Sequence, residues 1–113
     1  MQKEFRLKKN WDFQEIIDSK QSINNSFLVV YYKKAESFKA GITIPKKFEN
    51  SVGRNFNKRQ LKAIIRELNL YELNYHFVMI ARKKFCESEY NFKKQGIDEL
   101  FKKFRNYAKK TKI

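Results

Sequence analysis

The sequence predicts one α+β domain in which helices pack on a small mixed sheet. Segments with apolar residues at helical spacing flank segments that are rich in β-branched and aromatic residues. The 113 residues include one proline and three glycines, which are too few for a flexible linker, and no repeat divides the chain. Because a chain of this length can bury a core without disulfides or metals, we expect residues 1–113 to fold as a single domain.

Three strands are predicted. Residues 26–34 (SFLVVYYKK) are dominated by β-branched and aromatic residues. Residues 38–44 alternate between apolar and other residues, as in a strand with one buried face, and Pro45 ends this strand. Residues 75–81 (YHFVMIA) form a mostly apolar run, which is typical of a central strand.

Three helices complete the predicted order α-β-β-α-β-α. Asn10 is a suitable N-cap for a short first helix, and Asn50 or Ser51 for a second helix that extends to about Leu70. The last helix contains Gly96, which weakens a helix without forbidding it. Apolar residues at helical spacing support the first helix (Phe13, Ile16, Ile17) and the last (Phe92, Ile97, Leu100, Phe101, Phe104, Ala108).

The chain is strongly basic. It carries 26 Lys and Arg residues against 12 Asp and Glu residues, for a formal net charge of +14. Such an excess opposes compaction by self-repulsion, so we expect a polyanionic partner. Nucleic acid is the commonest polyanion, and an anionic membrane surface is the other candidate.

The sequence contains no recognisable catalytic or metal-binding motif. Cys86 is the only cysteine and His76 the only histidine, so together they supply neither a zinc site nor a nucleophilic triad. We therefore predict no catalytic residue and no metal ligand. A lone thiol fits a reducing cytoplasm, the N-terminal segment has no apolar signal region, and the apolar stretches are too short to cross a bilayer.

The second helix concentrates positive charge along one side. Residues spaced by four advance about 40° around a helix, so a slanting row results. Leu61, Ile64 and Leu68 are expected on roughly the opposite arc, facing the sheet. The residues of the charged arc are Arg54, Asn55, Lys58, Arg59, Lys62 and Arg66.

Phosphate binding explains this charge better than a solvated helix face does. No Asp or Glu occurs from residue 50 to residue 66. Solvated helices usually interleave charges of both signs, because like charges four residues apart destabilise a helix by roughly 0.2–0.5 kcal/mol per pair. The pattern therefore favours a bound phosphate backbone, although spacing alone does not distinguish RNA from DNA.

The segment KKFENSVGRNFNKRQLK, residues 46–62, resembles the signature of the bacterial ribonuclease P protein family. In that signature, a Lys-Lys pair and a short turn with Ala-Val precede Arg-Asn-x-x-Lys-Arg-x-x-Arg on a helix. Three positions depart from it: Ser51 replaces Ala, Phe56 replaces a second Arg, and Lys62 replaces the final Arg. The resemblance extends beyond this segment. The first helix begins within RLKKNWDFQ, the second strand lies in FKAGITIPKK, and the last strand lies in HFVMIARK. The matching residues of the signature are Lys46, Lys47, Val52, Arg54, Asn55, Lys58 and Arg59.

The resemblance implies a fold and a function. The fold is a ribosomal protein S5 domain 2-like sandwich with a left-handed βαβ crossover, an exception to the general right-handed rule. The protein would be the subunit of an endoribonuclease that removes the 5′ leader of precursor tRNA. The chemistry would belong to the catalytic RNA and its Mg²⁺, and the protein alone would bind no cofactor.

The resemblance also implies two RNA-binding surfaces. The charged arc of the second helix would contact the catalytic RNA, and Lys46 and Lys47, just before this helix, would lie at the edge of the same surface. A cleft between the first helix and the sheet would hold the single-stranded leader, through Phe13, Ile17 and Tyr31. Single-stranded nucleic acid often stacks on aromatic rings flanked by cations, but aromatic residues at such spacing are more often core residues.

Other binding classes are the alternatives. A ribosomal or other structural RNA-binding protein without a catalytic partner fits the size and charge equally well. A DNA-binding regulator would need a helix-turn-helix with a tight glycine turn, and no such pattern occurs. A membrane-surface helix would mass large apolar residues opposite the basic row, which this helix does not. We therefore expect neither a membrane nor a small-molecule substrate as a partner.

Overall fold

Six of the eight main elements follow the predicted order α-β-β-α-β-α, and the four strands form one sheet. The computed structural model describes residue 7 and residues 10–111, and the side chains of residues 7 and 13–107 within them. The predicted N-cap at Asn10 depends on a side chain outside these. The elements are α1 (Asn10–Asp18), β1 (Ser22–Asn24), β2 (Leu28–Lys34), β3 (Lys39–Thr43), α2 (Ser51–Glu67), β4 (Tyr75–Ala81), α3 (Lys83–Glu87) and α4 (Tyr90–Thr111).

The sheet has the strand order β1-β2-β4-β3 and is mixed, as predicted. The β1–β2 and β2–β4 pairs are antiparallel, whereas β3 and β4 are parallel. Because α2 lies between the parallel strands in the chain, β3, α2 and β4 form the expected βαβ crossover. Its left-handed sense stays a prediction.

Two short elements were missed by the sequence analysis. Strand β1 has only three residues, too few to show an alternating pattern, and it forms through pairing with β2. Helix α3 has five residues, and its Phe85 is fully buried. Both are held by tertiary contacts, which local propensity does not encode.

Helix α2 ends at Glu67, slightly before the predicted Leu70. Asn69 has a φ of 53°, the left-handed conformation that often follows the last helical turn. A single 3-10 turn at Leu70–Glu72 then leads into β4.

One face of the sheet carries the main hydrophobic core, which α2 and α4 cover. Its centre is aromatic: Tyr32 and Phe104 meet edge to face with ring centroids 5.0 Å apart, and Phe77 packs on both Phe101 and Phe104. In α4, Gly96 gives room to the Phe27 ring, because a Cβ there would lie 2.4 Å from Phe27 Cδ2. A glycine that weakens the helix locally thus permits its close packing against the sheet.

The second face of the sheet is covered by α1. Ile16 of α1 and Val78 of β4 are both almost fully buried, and neither belongs to the main core cluster. The Phe13 ring lies directly on β3 at Gly41, where an added Cβ would be 2.2 Å from Phe13 Cε1. Helix α1 therefore docks on this face through a small apolar contact of its own.

Candidate nucleic-acid interface

Helix α2 begins with a well-formed cap. Asn50 Oδ1 accepts a hydrogen bond from the Gly53 backbone N–H at 2.9 Å, as predicted for an N-cap. The first turn itself contains no acidic residue, but the Glu49 carboxylate, which precedes the cap, lies against it: an added Cβ at Gly53 would be 2.2 Å from Glu49 Oε2. Lys46 and Lys47, which precede the helix, are both exposed.

The basic side chains of α2 form no ion pair among the residues that the structure describes. The four ion pairs found there involve other basic residues: Lys33, Lys94, Lys102 and Arg105. We call the set Arg54, Asn55, Lys58, Arg59, Lys62 and Arg66 the basic face of α2. Its Asn55, Arg59 and Arg66 are exposed, and the other three are half-buried.

The predicted separation of charged and apolar arcs was wrong in one respect. Leu61 and Ile64 are buried and Leu68 is partly buried against the core, as predicted. However, Leu61 follows Arg54 by seven residues, about 20° short of two full turns, so the row begins beside the buried side of the helix. This position accounts for the half-burial of Arg54.

Arg54 is half-buried and has an unsatisfied hydrogen-bond donor. Its Nε is buried and has no hydrogen-bond acceptor within the described part of the chain. A buried donor without a partner costs free energy, which an incoming acceptor oxygen would recover. The basic face therefore includes one buried guanidinium donor, Arg54 Nε, without an acceptor in the described part of the chain.

Lys93 of α4 is a component of this surface that the sequence analysis missed. Its side chain is 1% exposed, and its ammonium donates hydrogen bonds to Asn57 Oδ1 (2.8 Å) and Gln60 Oε1 of α2. Burial lowers the pKa of Lys93 below its usual value. Its burial could have been predicted from its position, because Lys93 is four residues before Ile97, on the apolar side of α4.

The three predicted cleft residues lie on the side of the sheet that α1 covers. Phe13 contacts Gly41, which pairs with Val78, which in turn pairs with Tyr31 across the next strand. Tyr31 alternates with the core residues of β2, so its side chain is on this second face. Phe13, Ile17 and Tyr31 are all half-buried and none belongs to the core cluster.

Positive charge borders these residues. In the next cross-strand row, Lys33 of β2 and Lys39 of β3 both pair with His76 of β4. Glu15 of α1 forms an ion pair with Lys33, and this hydrogen bond lowers the pKa of Glu15. The second face thus combines half-buried rings with cations, one of which already has an acidic partner.

An open groove runs between α1 and β2, but it is not the predicted cleft. It measures about 590 Å³ and is lined by Gln14, Glu15, Asp18, Ser19 and Lys33. None of Phe13, Ile17 and Tyr31 lines it, and two of its five lining residues are acidic. Its acidic side chains make it a poor site for phosphates.

Cys86 is not an activated nucleophile. Burial raises the pKa of the Cys86 thiol, which keeps the thiol protonated and unreactive. Among the side chains that the structure describes, no three His, Cys, Asp or Glu residues are grouped closely enough to hold a metal ion. No helix in that part of the chain is long and apolar enough to cross a membrane.

Comparison with known proteins assigns the family. The profile of the Ribonuclease P family matches residues 1–105. The chain belongs to this family. The ribonuclease P protein component of Mycoplasmopsis synoviae is 47% identical over 112 residues, which are 99% of this chain and 100% of that protein. The corresponding protein of Mycoplasma mobile is 41% identical over 112 residues, with the same coverage.

Solved structures of the ribonuclease P family share the fold. The RNase P protein of Staphylococcus aureus superposes with a TM-score of 0.79 at 29% identity, covering 87% of this chain and 93% of that one. The RNase P protein from Thermotoga maritima gives a TM-score of 0.77 at 27% identity, covering 87% and 96%. The family membership and fold class that the basic-helix signature implied are therefore confirmed.

Proposed function

We propose that this chain is the protein subunit of ribonuclease P and acts in the 5′ maturation of tRNA. The observation that carries the proposal is the basic face of α2, whose cations have no acidic partner among the described residues. Retaining like charges side by side is unfavourable in isolation and becomes favourable when a phosphate backbone neutralises them. Family membership supports the catalytic RNA as that backbone.

In this proposal the protein binds and the RNA performs the cleavage. Arg54, Lys58, Arg59 and Lys62 contact phosphates, with Asn55 as a polar contact. Arg66 extends the row by one turn, and Lys46 and Lys47, just before α2, lie at the edge of the same surface. In this proposal Mg²⁺ is bound by the catalytic RNA, as the family resemblance implies. The assembly operates in the cytoplasm.

The second surface, on the α1 side of the sheet, holds the single-stranded 5′ leader of precursor tRNA. Phe13 and Tyr31 supply rings, and Ile17 supplies apolar packing. The half-burial of all three supports this role, because a ring that is rigidly seated yet partly open can stack on a base. Lys39 and His76 border the rings on the same face.

Reconstitution tests the proposal directly. The purified protein should not cleave precursor tRNA, and it should raise cleavage by a bacterial ribonuclease P RNA at Mg²⁺ concentrations where that RNA alone is nearly inactive. Metal-dependent cleavage by RNA-free protein would refute the division of labour. Absence of any stimulation, together with tight binding to ribosomal RNA, would instead support a structural RNA-binding protein.

A further inference from the structure

Helix α2 exposes an aromatic ring on the edge of its basic face. Phe56 is 54% exposed, and Val52, one turn earlier on the same side, is 75% exposed. Arg59 follows Phe56 by three residues and is therefore its neighbour on the helix surface. An exposed phenylalanine in a helix that otherwise presents cations to solvent is unfavourable in the free protein, unless a partner covers it.

The Phe56 ring is supported from beneath. The ammonium of Lys93 lies over it, 5.5 Å from the ring centroid, and a cation at this position attracts the ring electrostatically. Lys93 is itself fixed by its hydrogen bonds to Asn57 and Gln60. Because the cation occupies one side, the exposed area belongs to the opposite face and the edge of the ring.

We propose that Phe56 is a stacking platform for an unpaired base of the RNA that the basic face binds. This inference rests on the proposed function. A nucleic acid satisfies both features of the surface, since its phosphates match Arg59 and its neighbours while its bases supply flat aromatic faces. A protein partner would have to present an apolar patch within a strongly acidic surface. The ring, held on one side by Lys93, is preorganised to receive a base on the other.

The test compares variants at Phe56 with a matched control on α4. Phe92 is also an exposed phenylalanine, 60% exposed, and it lies outside the basic face. The dissociation constant for ribonuclease P RNA is measured for Phe56→Ala, Phe56→Leu, Phe56→Trp and Phe92→Ala, across a salt series. Melting temperatures of all four variants establish that the fold is retained.

Loss of the ring should weaken RNA binding roughly tenfold in both Phe56→Ala and Phe56→Leu. Phe56→Trp and Phe92→Ala should remain within about twofold of the unchanged protein. The dependence of log affinity on log salt should be the same for all, because no charge is removed. Phe56→Leu preserves apolar bulk, so its loss of affinity would separate stacking from simple burial.

Failure of the stacking proposal can be distinguished from failure of the proposed function. If Phe56→Leu binds as tightly as the unchanged protein, the stacking role is wrong, whatever the other variants do. If Arg54→Ala, Lys58→Ala and Arg59→Ala combined also leave RNA affinity and its salt dependence unchanged, the basic face itself is not the RNA site. If the charge variant weakens binding and the Phe56 variants do not, only the stacking proposal fails.

Discussion

The two long helices, α2 and α4, both carry many cations, but only those of α4 form ion pairs within the described part of the chain. Three of the four ion pairs in the described part of the chain involve α4, through Lys94, Lys102 and Arg105. Two of these use acids outside α4: Glu67 at the end of α2 and Glu72 in the following turn. The basic face of α2 has no such partner. The two helices therefore differ in how many of their cations are paired with acids, and not in whether they carry positive charge.

The difference follows from the distribution of acids along the chain. Asp98 lies four residues before Lys102, a spacing at which opposite charges stabilise a helix. In α2 the first acidic residue is Glu67, the last residue of the helix, and Lys94 and Tyr90 of α4 both bind it. The one acidic residue of α2 is thus already engaged by the neighbouring helix.

The largest expected effect comes from removing charge on α2. Replacing Arg54, Lys58 and Arg59 together by alanine should weaken RNA binding by about 4.5–9 kcal/mol if the three contacts add, since charge-assisted contacts contribute roughly 1.5–3 kcal/mol each. The slope of log affinity against log salt should fall by about 2–3, with about one counterion per lost contact. The matched control removes three charges from α4: Lys94, Lys102 and Lys103. An equal change of slope in the control would abolish the contrast between the helices.

A second, smaller effect tests whether nucleic-acid binding extends beyond α2. Phe13→Ala should cost roughly 1–3 kcal/mol of leader binding and reduce the preference of the holoenzyme for precursor over mature tRNA. A core Phe→Ala would instead cost roughly 3–5 kcal/mol of folding stability. Melting temperature and the affinities for both tRNAs distinguish these results. A collapsed melting temperature with the preference intact would make Phe13 a core residue.

A third prediction concerns Lys93, where the two helices meet. Because its pKa is lowered in the folded protein, the unfolded chain binds more protons as pH approaches the usual value of 10.5. The free energy of unfolding should therefore rise with pH in that window, by less than about 1.4 kcal/mol per pH unit. Lys93→Met should lack this rise, whereas Lys103→Met, at an exposed position of α4, should retain it. Parallel pH profiles for all three proteins would contradict the effect of burial.

The smallest effect is expected at Glu67. Hydrogen bonds from Lys94 and Tyr90 lower its pKa, so it contributes stability above its unfolded pKa of about 4.5 and loses it as pH falls through the folded value. Glu67→Gln should show a slightly shallower loss of stability between neutral and acidic pH. Glu99→Gln, which removes an exposed acid of α4, is the control. Equal acid profiles for the two variants would mean that the contact between the helices is not stabilising.

The sequence predicted the sheet and the charged helix because both depend on local pattern. The apolar runs 28–34 and 75–81 and the alternation at 39–43 encode three strands directly. Strand β1 and helix α3 are too short to carry a period, and partners distant in the chain hold them in place. Lys93 was not predicted because a lysine normally signals exposure, and its burial depends on hydrogen-bond partners in α2 and on aromatic rings that a local pattern does not reveal.

The candidate sites were predicted at the level of elements more than of individual contacts. The spacing of four placed the basic residues on one side of α2, but not the proximity of Arg54 to buried Leu61. Phe13 was identified as a possible ring of the cleft. Its contact with Gly41 depends on how α1 crosses β3, and pairing across strands is invisible to a local pattern.

The βαβ crossover gives RNA binding a thermodynamic consequence for the fold. Strands β3 and β4 are hydrogen-bonded neighbours, and α2 is the segment that connects them. A ligand that binds α2 only in its native position requires this parallel pair to be formed. Its binding therefore raises the free energy of unfolding of the sheet by mass action. For a chain whose +14 charge repels itself, a saturating polyanion would act as a folding ligand as well as a partner. Native-state hydrogen exchange at β3, the sheet edge, would then slow when the catalytic RNA binds α2.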